Sequence, residues 1–196
     1  MKRILKEIAI VLGGIVFLPH LLIFTQGGGK IRLDLYAYKR HKGIERNDIY
    51  SFLYFLIFCP EYRNVFYFRL PKFVRCLLYY CPPRATLHIY TKSSNVGGGL
   101  YVGHGWGTVI NAKMIGKNCV VGQNVTIGSR NLKEPVLGDN VDVYANAIVL
   151  GDITIGDNTK IGAGAVVVKN VPSNCVVVPA KSNIIRKDGI RVNIPL

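Results

Sequence analysis

From Ile115 onward the chain keeps a metre of six. An aliphatic residue with a turn-forming neighbour recurs as Ile115-Gly116, Val121-Gly122 and Ile127-Gly128. It resumes as Leu137-Gly138, Val143-Tyr144, Val149-Leu150, Ile155-Gly156, Ile161-Gly162 and Val167-Val168. Small or β-branched residues return four places on, at Cys119, Val125, Val141, Ala147, Ile153, Thr159, Ala165 and Val171. A helical period of 3.6 cannot produce this, and strand alternation alone does not hold strict sixes. Upstream, Val96, Val102 and Val109 extend the beat with one slip. The pattern predicts a triangular coil. Each hexapeptide supplies one short strand and one corner, and three close a turn of about 18 residues. Aliphatic residues then point into the prism, while Gly, Asn and Asp take the corners that need unusual backbone angles. Stacked coils pair their strands in parallel around a continuous core. A sandwich would place hairpin turns at irregular spacing and fits this metre poorly.

The metre breaks once, between Ile127 and Leu137, where ten positions stand in place of six. The surplus around Ser129-Arg130-Asn131-Leu132-Lys133-Glu134-Pro135 must loop out of the prism, and a loop on a rigid scaffold is a common place for function.

The first half is a different material. Residues 1–86 hold 14 basic and 5 acidic residues, a net +9, with all of the Phe. Residues 87–196 hold 11 basic and 6 acidic, a net +5. The join, Cys81-Pro82-Pro83-Arg84, stops a helix, so the reading divides the chain into a helical region, 1–86, and a coil domain, 87–196. Ile8–Phe24 is apolar on every side, with Lys2, Arg3 and Lys6 before it and Lys30 and Arg32 after. Its 17 residues sit at the lower limit for a spanning helix, which needs about 20, no small-x-small cleavage site follows, and whether the run crosses the bilayer stays open. The expectation is an interfacial or shallow anchor at the inner face of the cytoplasmic membrane, with a plain buried helix as the alternative. Asp48–Phe58 and Pro60–Leu70 read as helices, the first capped by Asn47 and the second opened by Pro60. Their dense aromatics point to core packing first and to a second membrane-facing surface next.

At 49% hydrophobic residues the chain is not disordered. A net charge of +14 admits nucleic acid, an anionic membrane or a phosphorylated ligand as partner. Nucleic acid would explain the charge and not the coil, so no nucleic-acid partner is expected. The five cysteines form no CxxC pair and are odd in number, which argues against a zinc ribbon or a closed disulfide set. Free thiols in a reducing compartment are the simpler reading, and no metal is expected.

Three stretches carry a resemblance. They are Gly99-Leu100-Tyr101-Val102-Gly103-His104-Gly105-Trp106-Gly107-Thr108-Val109-Ile110-Asn111, Val125-Thr126-Ile127-Gly128, and Ile161-Gly162-Ala163-Gly164-Ala165-Val166-Val167. An echo stands upstream in Pro60-Glu61-Tyr62-Arg63-Asn64-Val65-Phe66-Tyr67. Over roughly residues 60–186 the sequence resembles the hexapeptide-repeat acyltransferases of the serine acetyltransferase-like branch, nearest to its capsular and colanic-acid polysaccharide O-acetyltransferases. The resemblance implies a mainly β protein: a left-handed parallel β-helix behind an α-helical N-terminal region, assembled as a homotrimer and using acetyl-CoA. Whether two trimers pair through the first half stays open. Where serine acetyltransferases carry Asp-Pro upstream, this chain has Cys59-Pro60. The aspartate partner of their histidine falls on Ile89, their loop's His-Pro is Glu134-Pro135, and their Gly-x-Pro-Ala turn is Pro179-Ala180-Lys181-Ser182. Lost charged groups favour a neutral acceptor hydroxyl such as a sugar's.

Of the four histidines, His104 alone sits in a glycine-framed corner of the repeat. An imidazole with a pKa of about 6.5 suits a general base for acyl transfer to a hydroxyl. With the resemblance, this makes His104 the catalytic base. Glu134 is the candidate carboxylate to orient it, a backbone carbonyl being the alternative. Trp106 either stacks on a sugar or covers a trimer contact, and Asn111 is either acceptor-binding or a corner residue. The resemblance places the main-chain groups that hold acetyl-CoA at Gly128, Ala145 and Ala163. Lys169, Lys181, Arg186 and Lys187 either meet its phosphates or form a solvated tail. The reading is an acetyl-CoA-dependent O-acetyltransferase acting on a saccharide hydroxyl, lipid-linked or otherwise presented at a membrane, in capsule, O-antigen or exopolysaccharide synthesis. The alternatives are a serine O-acetyltransferase and a non-catalytic membrane-bound trimeric scaffold.

Overall fold

The structure is a computed structural model that describes residues 2–180 and 182–195. Six helices come first: α1 (Lys2–Val16), α2 (Leu18–Gln26), α3 (Gly29–Lys42), α4 (Asp48–Phe58), α5 (Pro60–Phe68) and α6 (Lys72–Leu78). Asn47 caps α4 by accepting from the Tyr50 amide at 2.9 Å, and Pro60 opens α5. Gly43 closes α3 at φ +63°, a left-handed conformation that favours glycine. The apolar run Ile8–Phe24 is two helices, not one. Pro19 stands in the first turn of α2, and the chain bends by 79° between α1 and α2. Among the described residues no single helix is long and apolar enough to cross a membrane.

The coil follows as β1 (Leu87–Ile89), β2 (Tyr101–Val102), β3 (Thr108–Ile110), β4 (Met114–Ile115), β5 (Val120–Val121), β6 (Thr126–Gly128) and β7 (Val136–Leu137). It continues with β8 (Asp142–Val143), β9 (Ile148–Leu150), β10 (Thr154–Ile155), β11 (Lys160–Ile161), β12 (Val166–Val167) and β13 (Val176–Val177). An antiparallel hairpin, β14 (Asn183–Lys187) and β15 (Ile190–Pro195), ends the chain. The strands stack into three parallel faces. The first face runs β1-β3-β6-β9-β12, the second β4-β7-β10, and the third β2-β5-β8-β11-β13. Asp142 pairs with Lys160, 18 residues on, as three hexapeptides require. Val120 pairs with Asp142, 22 residues on, because the excursion adds four. This is a parallel β-helix of hexapeptide repeats behind a helical region, as the metre predicts. Val121, Ile127, Leu137, Val143, Val149, Ile155 and Ile161 fill its interior with no exposed surface.

The corners have their own chemistry. Asn118, Asn124, Asn140, Asn146, Asn158 and Asn174 all hold φ between +55° and +62°, a region Asn tolerates better than most residues. Their side chains bond coil to coil. Asn118 donates to Asn140, Asn140 to Asn158 and Asn158 to Asn174, while Asn124 donates to Asn146.

The helices dock on the first coils through a buried ion pair. Arg69 of α5's C-terminal edge donates to both Asp34 oxygens, at 2.8 and 3.1 Å. The Asp34 Oδ1 also accepts from the Gly99 and Leu100 amides at 2.8 and 2.9 Å. Burial raises the Asp34 carboxyl above its ordinary range, and the guanidinium and the two amides pull it back. Tyr38 adds a hydroxyl bond to the Val102 carbonyl at 3.1 Å. The apolar core runs unbroken from α1 to the last coils.

Candidate active site

His104 stands where the chain turns from β2 on the third face to β3 on the first. Its φ is +62°, and the Gly105 amide donates to the Gly103 carbonyl at 2.8 Å across it. A three-residue turn of this kind with positive φ is rare and strained. Glycine on both sides is what allows it: Gly105 is itself at φ +64°. The imidazole is exposed. Among the described residues it has no hydrogen-bond partner.

What holds this corner comes from far back in the chain. Glu61, on α5, is buried and pairs with the Arg84 guanidinium at 3.0 Å. Arg84 in turn lies 4.0 Å from the Trp106 ring centroid. Asn64 fixes the Arg84 backbone, accepting from its amide at 2.8 Å and donating to its carbonyl at 3.0 Å. A side chain at Gly105 would press on Leu87 at 3.1 Å and Glu61 at 3.3 Å, so only glycine lets the turn seat against this clamp. Trp106 therefore has one ring face taken by Arg84, although the residue remains 56% exposed.

Below His104, along the same edge, the corners Gln123-Asn124, Ala145-Asn146 and Ala163-Gly164 stack on successive coils. Strand spacing of about 4.8 Å per coil puts the lowest roughly 14 Å from His104. The amides of Gln123, Ala145 and Ala163 find no acceptor among the described residues, whereas those of Asn124, Asn146 and Gly164 bond to the Trp106, Gln123 and Ala145 carbonyls. At the edge between the second and third faces two of the corresponding amides are satisfied by carboxylates. Lys117 donates to the Asp139 carboxylate and Asp139 to that of Asp157, both at 2.7 Å. Omitting aspartate from one edge leaves a ladder of free N–H groups there, suited to amide carbonyls or a developing oxyanion.

Other expected residues lie elsewhere. Glu134 sits at the base of the excursion, on the edge between the first and second faces, so it does not orient the imidazole of its own chain. Asn111 follows β3 and Gly128 ends β6 on that same edge, and Gly128 is buried. The three-residue strands that separate these edges keep them from His104 within one chain. Lys169 and Arg186 are exposed, the latter on β14. Lys187 ends that strand, and Lys181 lies outside the described residues. The Pro60–Tyr67 run carries no local sign of its clamp, because nothing in the sequence joins Glu61 and Asn64 to Arg84. The expected set also lacks Gln123, whose signal was legible: the residue before a corner Asn, in a column where Asp is missing.

Residues 134–169 match the family model "Bacterial transferase hexapeptide (six repeats)". The serine acetyltransferase of Synechococcus elongatus is 38% identical over 130 residues, 64% of this chain and 53% of that protein. That of Staphylococcus aureus is 41% identical over 104 residues, 50% of this chain and 49% of its own length. The chain thus spans about half the length of the curated relatives it matches. Among solved structures, Entamoeba histolytica serine acetyltransferase isoform 3 in complex with cysteine superimposes with TM-score 0.60 and 26% identity, over 81% of this chain and 61% of that one. The Neisseria gonorrhoeae enzyme in complex with serine gives 0.57 and 27%, over 77% and 66%.

Proposed function

We propose that this chain, a hexapeptide-repeat acyltransferase of the serine acetyltransferase type, moves an acetyl group from acetyl-CoA to a hydroxyl with His104 as base. The observation that carries this is an exposed imidazole on a strained turn at the head of a ladder of unpaired amides. His104 takes the proton as the acceptor oxygen attacks the thioester carbonyl carbon. The C–S bond then breaks, an ester forms, and the proton passes to the departing thiolate. The Gln123, Ala145 and Ala163 amides would hold the donor's own amide carbonyls and the developing oxyanion. Lys169, Arg186 and Lys187 remain candidates for its phosphates.

Two readings of the acceptor stand on different observations. The names of the relatives favour L-serine, and the similarity to them is the stronger support. A saccharide hydroxyl is favoured by the site. Beside the His104 corner the Glu61 carboxylate is buried and already paired with Arg84, so among the described residues of one chain it is not free for an ammonium group. Assembly belongs to the proposal as well. A trimer would set the edge bearing Asn111, Gly128 and Glu134 of one prism across a groove from the His104 edge of the next, giving one site per groove.

The test is thiol release from acetyl-CoA with L-serine, nucleotide sugars and polyprenyl-linked glycans in parallel. Turnover with serine alone selects the first acceptor and turnover with a glycan alone the second. No release with any acceptor, and no stabilisation by acetyl-CoA, would leave a scaffold. His104→Ala should lower turnover by about a hundredfold or more with the assembly intact; a variant with near-normal turnover rejects the base.

A further inference from the structure

We propose that α1, α2 and α6 form a surface that lies in the plane of an anionic lipid bilayer, anchoring the protein without crossing it. The exposed side of α1 is Ile4, Leu5, Ile8, Val11, Leu12, Ile15 and Val16, a stripe at helical spacing where a water-facing helix would carry charge. Its opposite side is already used. Ile10 is buried, and Gly13 and Gly14 let α1 close on Ile57 and Leu53 of α4. From Ile8 to Val16 the helix is thus apolar all round with only half of it covered.

The stripe does not stop at the bend. Leu18 and Leu22 extend it on α2, whose other side buries His20 and Phe24. The Tyr80 hydroxyl donates to the Val16 carbonyl at 2.7 Å, bringing the end of α6 against the bend. There Phe73, Leu77 and Tyr80 are 69%, 73% and 52% exposed. An apolar surface gathered from three helices far exceeds the single scattered side chains normal on a soluble protein.

Charge selects the occupant. Lys6 is exposed at one end of α1 and Lys72 on α6, the sequence sets Lys2 and Arg3 beside the first, and the whole region carries a net +9. The one acidic residue of α1, Glu7, is half-buried and is neutralised by Arg46 at 3.4 Å. A second copy would bring the same positive charge to meet its own, whereas anionic headgroups complement it. The 79° bend and the burial of α2's inner side turn the chain back onto the helical layer, so the surface lies along the bilayer. The same layer packs on β1 and β2, the end of the coil that carries His104.

The full-length protein should float with vesicles of phosphatidylcholine and phosphatidylglycerol, less with phosphatidylcholine alone, and less again at high salt. The double variant Ile8→Asp with Ile15→Asp, and separately Leu77→Asp, should lose at least about tenfold in partitioning. Both should keep the melting temperature and acetyl-CoA-dependent stabilisation of the parent, which separates a failure of this surface from a failure of the enzymatic reading. Absence of the parent from floated vesicles overturns the proposal, as does partitioning unchanged by all three substitutions. A variant that only shrinks the assembly in light scattering, with vesicle binding unaltered, assigns the surface to a second copy and overturns it too.

Discussion

His20 and His104 carry the same ring into opposite surroundings. His20 is wholly buried, bonded to the Tyr67 hydroxyl at 2.9 Å and edged by Phe17 and Tyr80. Burial, with Arg63 nearby, pushes its pKa down to about 4. The folded protein thus holds His20 neutral where the unfolded chain would protonate it near pH 6.5. Its contribution to stability is complete above pH 6.5 and is lost as pH falls from 6.5 towards 4. Thermal melts should show this decline, and His20→Phe should flatten it; an unchanged slope in the variant would place the titration elsewhere. His104 has no such enclosure. Its turn is held at positive φ by the two glycines beside it, so Gly105→Ala should cost activity by displacing the corner against Leu87 and Glu61.

Elements meet at two kinds of joint. The first is the asparagine ladder that ties each coil to the next. Asn140 both donates to Asn158 and accepts from Asn118, at φ +56°. Replacing it with Ala removes both bonds and leaves a strained backbone, at a cost of about 1–3 kcal/mol. Asn140→Gly should cost less, since glycine adopts that φ freely, and chemical denaturation of the two variants separates strain from bonding. The second joint binds α5 to the His104 corner through Glu61, Arg84 and Trp106. Glu61→Gln keeps the shape and removes the charge. It should lower kcat by about tenfold, with a smaller change in KM, by loosening the turn that carries His104. A melting temperature that falls in proportion, or a kcat that stays put, would make the clamp structural only.

At the scale of the molecule, the helical layer and the coil are one folded body sharing one core, pinned by the Asp34–Arg69 pair. Removing one partner leaves the other charge buried, so Asp34→Ala should cost about 3–5 kcal/mol, read as a lowered denaturation midpoint. Upstream the beat names Val109 where Ile110 is the buried residue, whereas the prism interior from Ile115 onward and the excursion were legible in the sequence. Each follows from a period of six, which fixes side-chain direction locally and needs no knowledge of distant residues. Cap and turn chemistry was legible for the same reason, at Asn47, Pro60 and the corner asparagines. The bend inside Ile8–Phe24 was not, because hydropathy counts apolar residues without saying which neighbours cover them. Nor was the separation of Glu134, Asn111 and Gly128 from His104. All four belong to one repeat pattern, yet successive corners of a triangle point in different directions. What the sequence by itself determined was the coil and its glycine-framed histidine, since both are written in short-range spacing. What only the tertiary structure decided was which helix braces that histidine and which apolar side chains stay uncovered, because each depends on contacts between segments tens of residues apart.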